Sequence, residues 1–185
     1  YISNYCENIL RVAEACIKCI CYNFMPVFDW TRTQLDHELA DGSTSLVYYQ
    51  DQVDKVNPLE SDSDLTLPGW DSSYTRDGLK QVVSEYNAMS EDDLWNHLKY
   101  FLEAIIPVAA ECDVNMAIHE DDPCWSIFGL PSIITCAEKL DRFLKLVDYS
   151  NNGITLCTGS LGCSNKNDAL NIADKYARLG RITSV

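Results

Sequence analysis

Two short apolar runs of this sequence end in side chains that can bind a metal. Met116-Ala117-Ile118 runs into His119 and then Glu120-Asp121-Asp122-Pro123; Gly153-Ile154-Thr155-Leu156 runs into Cys157 and then Thr158-Gly159-Ser160. Imidazole and thiolate together suit a divalent transition ion. If both runs are neighbouring strands of one parallel barrel, His119 and Cys157 project from the same rim, where such barrels carry their chemistry. Taken singly, each has a plainer alternative: a His after a strand as a polar cap, a Cys inside one as core.

The flanking residues add chemistry with the same ambiguity. Asp121 and Asp122 could orient the imidazole or contact a substrate, or form a solvated turn ahead of Pro123. Asp29-Trp30-Thr31-Arg32-Thr33 follows another strand end and combines a fixed cation, hydroxyls and an aromatic face, which suits a sugar-like anion; a loop anchored by Trp30 with a surface Arg is the alternative. Thr158-Gly159-Ser160-Leu161-Gly162 resembles a phosphate-cradling turn but lacks the Lys and spacing of a P-loop. Cys16-Ile17-Lys18-Cys19 is a C-x-x-C without a second pair, which favours packing over zinc. A serine nucleophile elbow and a G-x-G-x-x-G run are both missing from the sequence, so hydrolase and dinucleotide-binding readings lose support.

Elements that could position these groups follow from periodicity. Residues 3 to 15 have helical spacing through Ile9, Leu10, Val12 and Ala13, and Ile17 to Phe24 is a strand candidate buried on both faces. About 60 polar residues follow, a length that implies a functional insertion or small elements of its own. Ser90 caps a helix whose first turn is Glu91-Asp92-Asp93 and which runs to about Cys112, with Pro107 predicting a kink or break. Val114 to His119 is a strand, Ala137 to Val147 a helix, Gly153 to Thr158 a strand, Lys166 to Leu179 a helix, and Arg181 to Val185 a strand. Strands alternating with helices give a parallel α/β architecture. About four strands cannot close a barrel of eight, so the pattern predicts a partial TIM (β/α)8 barrel: residues 1–185 as the central part of one barrel domain, interrupted by an insertion at about 29–90, with the N- and C-terminal barrel parts lying elsewhere.

Composition agrees with a globular fold: hydrophobic residues make up 46% of 185, which argues against disorder. The net charge of −14 disfavours nonspecific binding to nucleic acid or anionic membrane. No apolar stretch reaches membrane-spanning length and no secretory pattern opens the chain, so a cytoplasmic location is expected. Nine cysteines, an odd number spread through apolar runs, read as reduced and mostly buried thiols.

The residues from Cys21 to Thr33, Leu67-Pro68-Gly69-Trp70, Met116 to Pro123, Ile127 to Pro131 and Gly153 to Gly162 closely resemble the D-mannonate dehydratase family, in order and over nearly the whole chain. That resemblance implies an enzyme of the xylose-isomerase-like barrel group. It would remove water from D-mannonate to give 2-dehydro-3-deoxy-D-gluconate, using Mn²⁺ or Fe²⁺, in hexuronate (glucuronate) breakdown. It also implies that His119 and Cys157 are two metal ligands; the family's further His and Asp ligands have no counterpart within this chain. Asp121, Asp122 and Tyr22 are candidates for the general base and acid, and Arg32, Trp30 and Asn23 for substrate contacts, with Arg32 on the carboxylate. A homo-oligomer of the full-length protein is compatible with the family.

The sequence also departs from the family pattern. Glu120 and Cys124 replace two prolines of H-P-D-D-P-P, Ser132 replaces an Arg, and Cys16 and Asp113 stand where glycine is usual. A sugar isomerase of the same barrel group and an inactive fragment or degenerate copy are the competing readings.

Overall fold

The computed structural model describes residues 1–28, 30–55 and 76–185. Asp29 and the Leu67-Pro68-Gly69-Trp70 segment lie outside the described residues. The chain forms two compact units, one of Tyr1–Phe24, Glu91–Trp125 and Ser132–Val185, the other of Met25–Ser90 and Ser126–Pro131.

The first unit is a parallel sheet with helices between its strands. It contains α1 (Ile2–Glu14), β1 (Cys19–Tyr22), α4 (Glu91–Glu111), β4 (Asn115–Ile118), α5 (Ala137–Leu146), β5 (Asn152–Thr155), α6 (Thr158–Gly162), α7 (Ala169–Arg178) and β6 (Ile182–Ser184). The sheet order is β1-β4-β5-β6, and every neighbouring pair is parallel. It is a curled half-barrel, part of a TIM barrel. The curl shows in contacts that skip strands: Thr155 Oγ1 on β5 lies 3.2 Å from Cys21 Sγ on β1, and Cys19 Sγ lies 3.7 Å from the Thr183 carbonyl on β6.

These contacts place odd-numbered strand residues on the concave face, because side chains alternate along a strand. The even-numbered Met116, Ile118 and Ile154 are fully buried on the other face, where the helices lie. α1 meets α4 there through an edge-on pair, Tyr5 and Phe101, at 5.0 Å.

The sequence predicted a kink or break at Pro107, yet α4 is a single helix from Glu91 to Glu111. Proline inside a helix costs about 3 kcal/mol. Leu98, Leu102, Ile105, Ile106 and Ala109 are all fully buried, and each large side chain contributes about 1.5–3 kcal/mol, so packing outweighs the defect. Strands are shorter than expected; β1 begins at Cys19 because Ile17 is half exposed in the preceding turn.

That turn recurs. Three helices end with a left-handed residue before the next strand: Cys16 after α1 (φ 60°), Asp113 after α4 (φ 53°) and Gly180 after α7 (φ 64°). In each, that residue's N–H and the next one's bond back into the last helical turn, as with Cys16 to Ala13 and Ile17 to Val12 at 2.8 and 3.1 Å, the pattern of a Schellman cap.

The second unit holds elements that the polar stretch did not announce: a hairpin of β2 (Gln34–Glu38) and β3 (Thr44–Val47), a short α2 (Gln50–Val53) and α3 (Arg76–Asn87). Asp41 and Gly42 make the hairpin turn, Gly42 at φ 83° and the Asp41 carboxylate accepting from the Ser43 N–H at 3.0 Å. Among the described residues no helix is long and apolar enough to cross a membrane. All nine cysteines are free, but they are not mostly buried as expected: Cys124 is buried, while Cys16, Cys21 and Cys163 are exposed. Their positions explain this, since Cys16 sits in a surface turn, Cys21 on the open concave face and Cys163 at the end of α6.

Candidate functional site

Strand register brings the two donors to one rim. Tyr22, Ile118 and Ile154 are paired across β1, β4 and β5, and His119 follows Ile118 directly, its N–H donating to the Tyr22 carbonyl at 2.8 Å. Cys157 follows β5 and is the N-cap of α6. Both carry odd numbers, the parity of the concave face.

His119 is half-buried, and its Nδ1 lies 2.7 Å from the Glu120 carbonyl oxygen, an acceptor that requires Nδ1 to carry a proton and donate it. Burial alone would lower the imidazole pKa. The Glu120 carbonyl, the Glu120 carboxylate and the Cys157 sulfur outweigh it, and the net shift is upward. Cys157 shifts the other way: burial would raise its thiol, but hydrogen bonds from Ser160 and the His119 ring bring it below the usual value. Ser160 Oγ stands 3.2 Å from Cys157 Sγ and 3.3 Å from Asp122 Oδ2. The two shifts are those of a histidine and a cysteine that each favour the other's charged form.

The residues of the His119-to-Pro123 stretch divide their work. Glu120 is fully buried, and its carboxylate oxygens accept from the Cys157 N–H at 3.2 and 3.4 Å; burial pushes this carboxyl up to about 7. Asp121, 2% exposed, accepts from the Ile133 and Ile134 N–H groups at 2.8 and 3.2 Å, while its own N–H donates to the Ile134 carbonyl. It anchors the 133–134 loop. Asp122 reaches the Cys157 side of the site through Ser160.

Tyr22 goes elsewhere. Its even position turns the ring to the helix layer, 6.0 Å from Phe101, and burial raises its hydroxyl pKa strongly. Asn23 is exposed at the same rim, one residue past β1. Arg32 and Trp30 belong to the second unit, where the guanidinium lies over the Trp30 ring at 5.0 Å and donates to the Thr31 carbonyl at 2.9 Å. Left-handed backbone at Val27 and Trp30 (φ 61° and 52°) bends that loop.

Sequence reasoning passed over Glu120 and Ser160 as participants. Ser160 had a signal, its position three residues after Cys157 at a helix start. Glu120 had none beyond its type, because nothing local shows that its side chain turns inward. Among the described residues no group of three or more His, Cys, Asp and Glu side chains is placed to hold a metal ion.

A family profile for D-mannonate dehydratase (UxuA) matches residues 1–185. The chain belongs to the D-mannonate dehydratase family. Mannonate dehydratase 2 of Halalkalibacterium halodurans is 52% identical over 182 residues, covering 98% of this chain and 52% of that protein. The mannonate dehydratase of Streptococcus uberis is 48% identical over 184 residues, with 100% and 52% covered. The crystal structure of mannonate dehydratase from Streptococcus suis serotype 2 superposes with a TM-score of 0.87 at 43% identity, covering 99% of this chain and 48% of that one. The chain spans about half the length of the curated relatives it matches.

Proposed function

We propose that the protein containing this chain is a hydro-lyase that dehydrates D-mannonate to 2-dehydro-3-deoxy-D-gluconate, and that His119 and Cys157 are two ligands of its divalent metal, Mn²⁺ or Fe²⁺. The observation that carries the reading is the convergence of these two donors on one rim of a barrel sheet, within a chain matched along its whole length by the family.

The donor chemistry fits such an ion. The imidazole has its Nδ1 engaged and Nε2 available, and the thiol is held toward its anionic form. When bound, the cation would supply Lewis-acid stabilisation of negative charge developing on the substrate as the proton beside its carboxylate departs. The Ser160 hydroxyl stands within reach of the sulfur, and Asp121 holds the loop behind the rim. A general base and acid are also required; Asp122 stands at the rim, whereas Asp121 is engaged by the Ile133 and Ile134 amides and Tyr22 is directed into the helix layer. Asn23, exposed at the same rim, is a candidate for substrate contact. Arg32 is the candidate for the substrate carboxylate, with Trp30 supporting its guanidinium.

Incubating the protein with D-mannonate and Mn²⁺ tests the reading. A 2-keto-3-deoxy acid should accumulate as water is lost. Ketose formation from candidate sugars without loss of water would assign it instead to the isomerases of this barrel group, and absence of both would support an inactive copy.

A further inference from the structure

Glu120 contacts both donors through different atoms. Its carbonyl oxygen holds the His119 ring at Nδ1, 2.7 Å away, while its carboxylate takes the Cys157 N–H at 3.2 and 3.4 Å. The side chain is fully buried, and burying a carboxylate is unfavourable unless hydrogen bonds offset it.

The two bonds differ in what they require. The carbonyl bond belongs to the main chain and does not depend on which side chain position 120 carries. The carboxylate bond does depend on it, and it is the longer-range one: it ties the end of β4 to the N-cap of α6, 37 positions away.

We propose that Glu120 is a positioning residue, whose carboxylate clamps the main chain of Cys157 so that the sulfur stays within reach of an ion shared with His119. The proposal rests on the metal reading above, though the clamp itself can be observed without metal. The clamp is a hydrogen bond between two strand ends.

Glu120→Gln and Glu120→Met provide the test, since both approximate the volume and only Gln keeps an acceptor. Amide hydrogen exchange at Cys157 in metal-free protein should be unchanged within about twofold in the Gln variant and at least about tenfold faster in the Met variant. Co²⁺ serves as the metal probe, through its thiolate charge-transfer absorption. Its affinity should fall about tenfold for Met, the lower end of the loss seen when a ligand's supporting partner is removed, and hold for Gln. The thermal midpoint of the Met variant should equal or exceed the parent's, because an apolar side chain replaces a buried acid. Equal exchange in the Met and Gln variants would overturn the proposal, as would parent-like Co²⁺ affinity in the Met variant. A parent protein without a cobalt–thiolate band would sink the metal reading separately and leave the exchange data to judge the clamp.

Discussion

The two rims of the half-barrel sheet are built on opposite principles. At the rim where strands begin, three different residues, Cys16, Asp113 and Gly180, adopt one backbone geometry with φ between 53° and 64°. The backbone decides there, and the side chains are interchangeable. At the rim where strands end, no two strands finish alike, and each side chain has a specific partner: His119 the Glu120 carbonyl, Cys157 the Ser160 hydroxyl, Asp121 the 133–134 amides. Repetition marks the first rim as scaffold, and individuality marks the second as the place for chemistry.

The sharpest way to break this contrast is at the second rim. Replacing Cys157 by Ala should weaken Mn²⁺ binding about a hundredfold or more, beyond the 10–100-fold that follows loss of a ligand's outer partner, with the thermal midpoint near the parent's because the side chain is part-exposed. Calorimetric titration of both proteins measures it. Equal Mn²⁺ affinities would take the sulfur out of the site and leave the rim's individuality without a function.

Between the rims, the concave face has its own constraint. A Cβ built on Gly153 would lie 2.6 Å from Thr183 Cγ2 and 2.9 Å from the Arg181 carbonyl, so β5 and β6 approach closely because glycine is there. Gly153→Ala should cost about 1–3 kcal/mol, as overpacking does, read as a lower urea midpoint. An unchanged midpoint would mean that β6 can move away freely.

The first rim predicts a gain. Cys16→Gly should stabilise by about 0.5–1 kcal/mol, since a left-handed conformation disfavours any residue with a Cβ and glycine returns only part of that benefit as unfolded-state entropy. Gly180→Ala should shift the thermal midpoint in the opposite direction. If both substitutions were silent, the shared geometry would not be the determinant of this rim.

How legible each region was in the sequence follows from the same physics. α4, α5 and the central strands β4 and β5 announce themselves because their buried positions recur, Leu140, Phe143 and Leu144 on α5 being an instance. The β2–β3 hairpin stayed hidden although Asp41-Gly42 is a turn signal: Leu35, Leu39 and Leu46 are exposed, so no buried alternation frames the turn. At the candidate site, the strand-end positions of His119 and Cys157 were visible, and the family resemblance supplied the expectation that they bind a metal. The separate tasks of Glu120, Asp121 and Asp122 were not, because three adjacent acids look alike until loops fold around them. Tyr22 was misleading for a related reason, its parity being unreadable before the strand's inner face is known.

The smallest effect also lies at the first rim and concerns pH. Lys18 Nζ stands 2.7 Å from Asp113 Oδ2. The hydrogen bond and charge of Lys18 lower the Asp113 carboxyl, and those of Asp113 raise the Lys18 ammonium. Because the carboxyl's folded value is depressed, its contribution is complete above the unfolded value of about 3.9 and is lost as pH falls through the folded one. The ammonium's folded value is raised, so its contribution is complete below about 10.4 and is lost as pH rises past the folded value. The pair thus acts across the neutral range, and as an exposed pair it acts weakly and less so in salt. Urea unfolding between pH 3 and 5 should show a shallower acid decline for Asp113→Asn than for the parent, with the difference fading in high salt. Since Asp113 also occupies the left-handed turn, Lys18→Met is the cleaner variant: it removes the charge partner and leaves the backbone alone. A Lys18→Met acid limb as steep as the parent's would show that this rim is held by backbone geometry without electrostatic help, which would make the contrast between the two rims more complete.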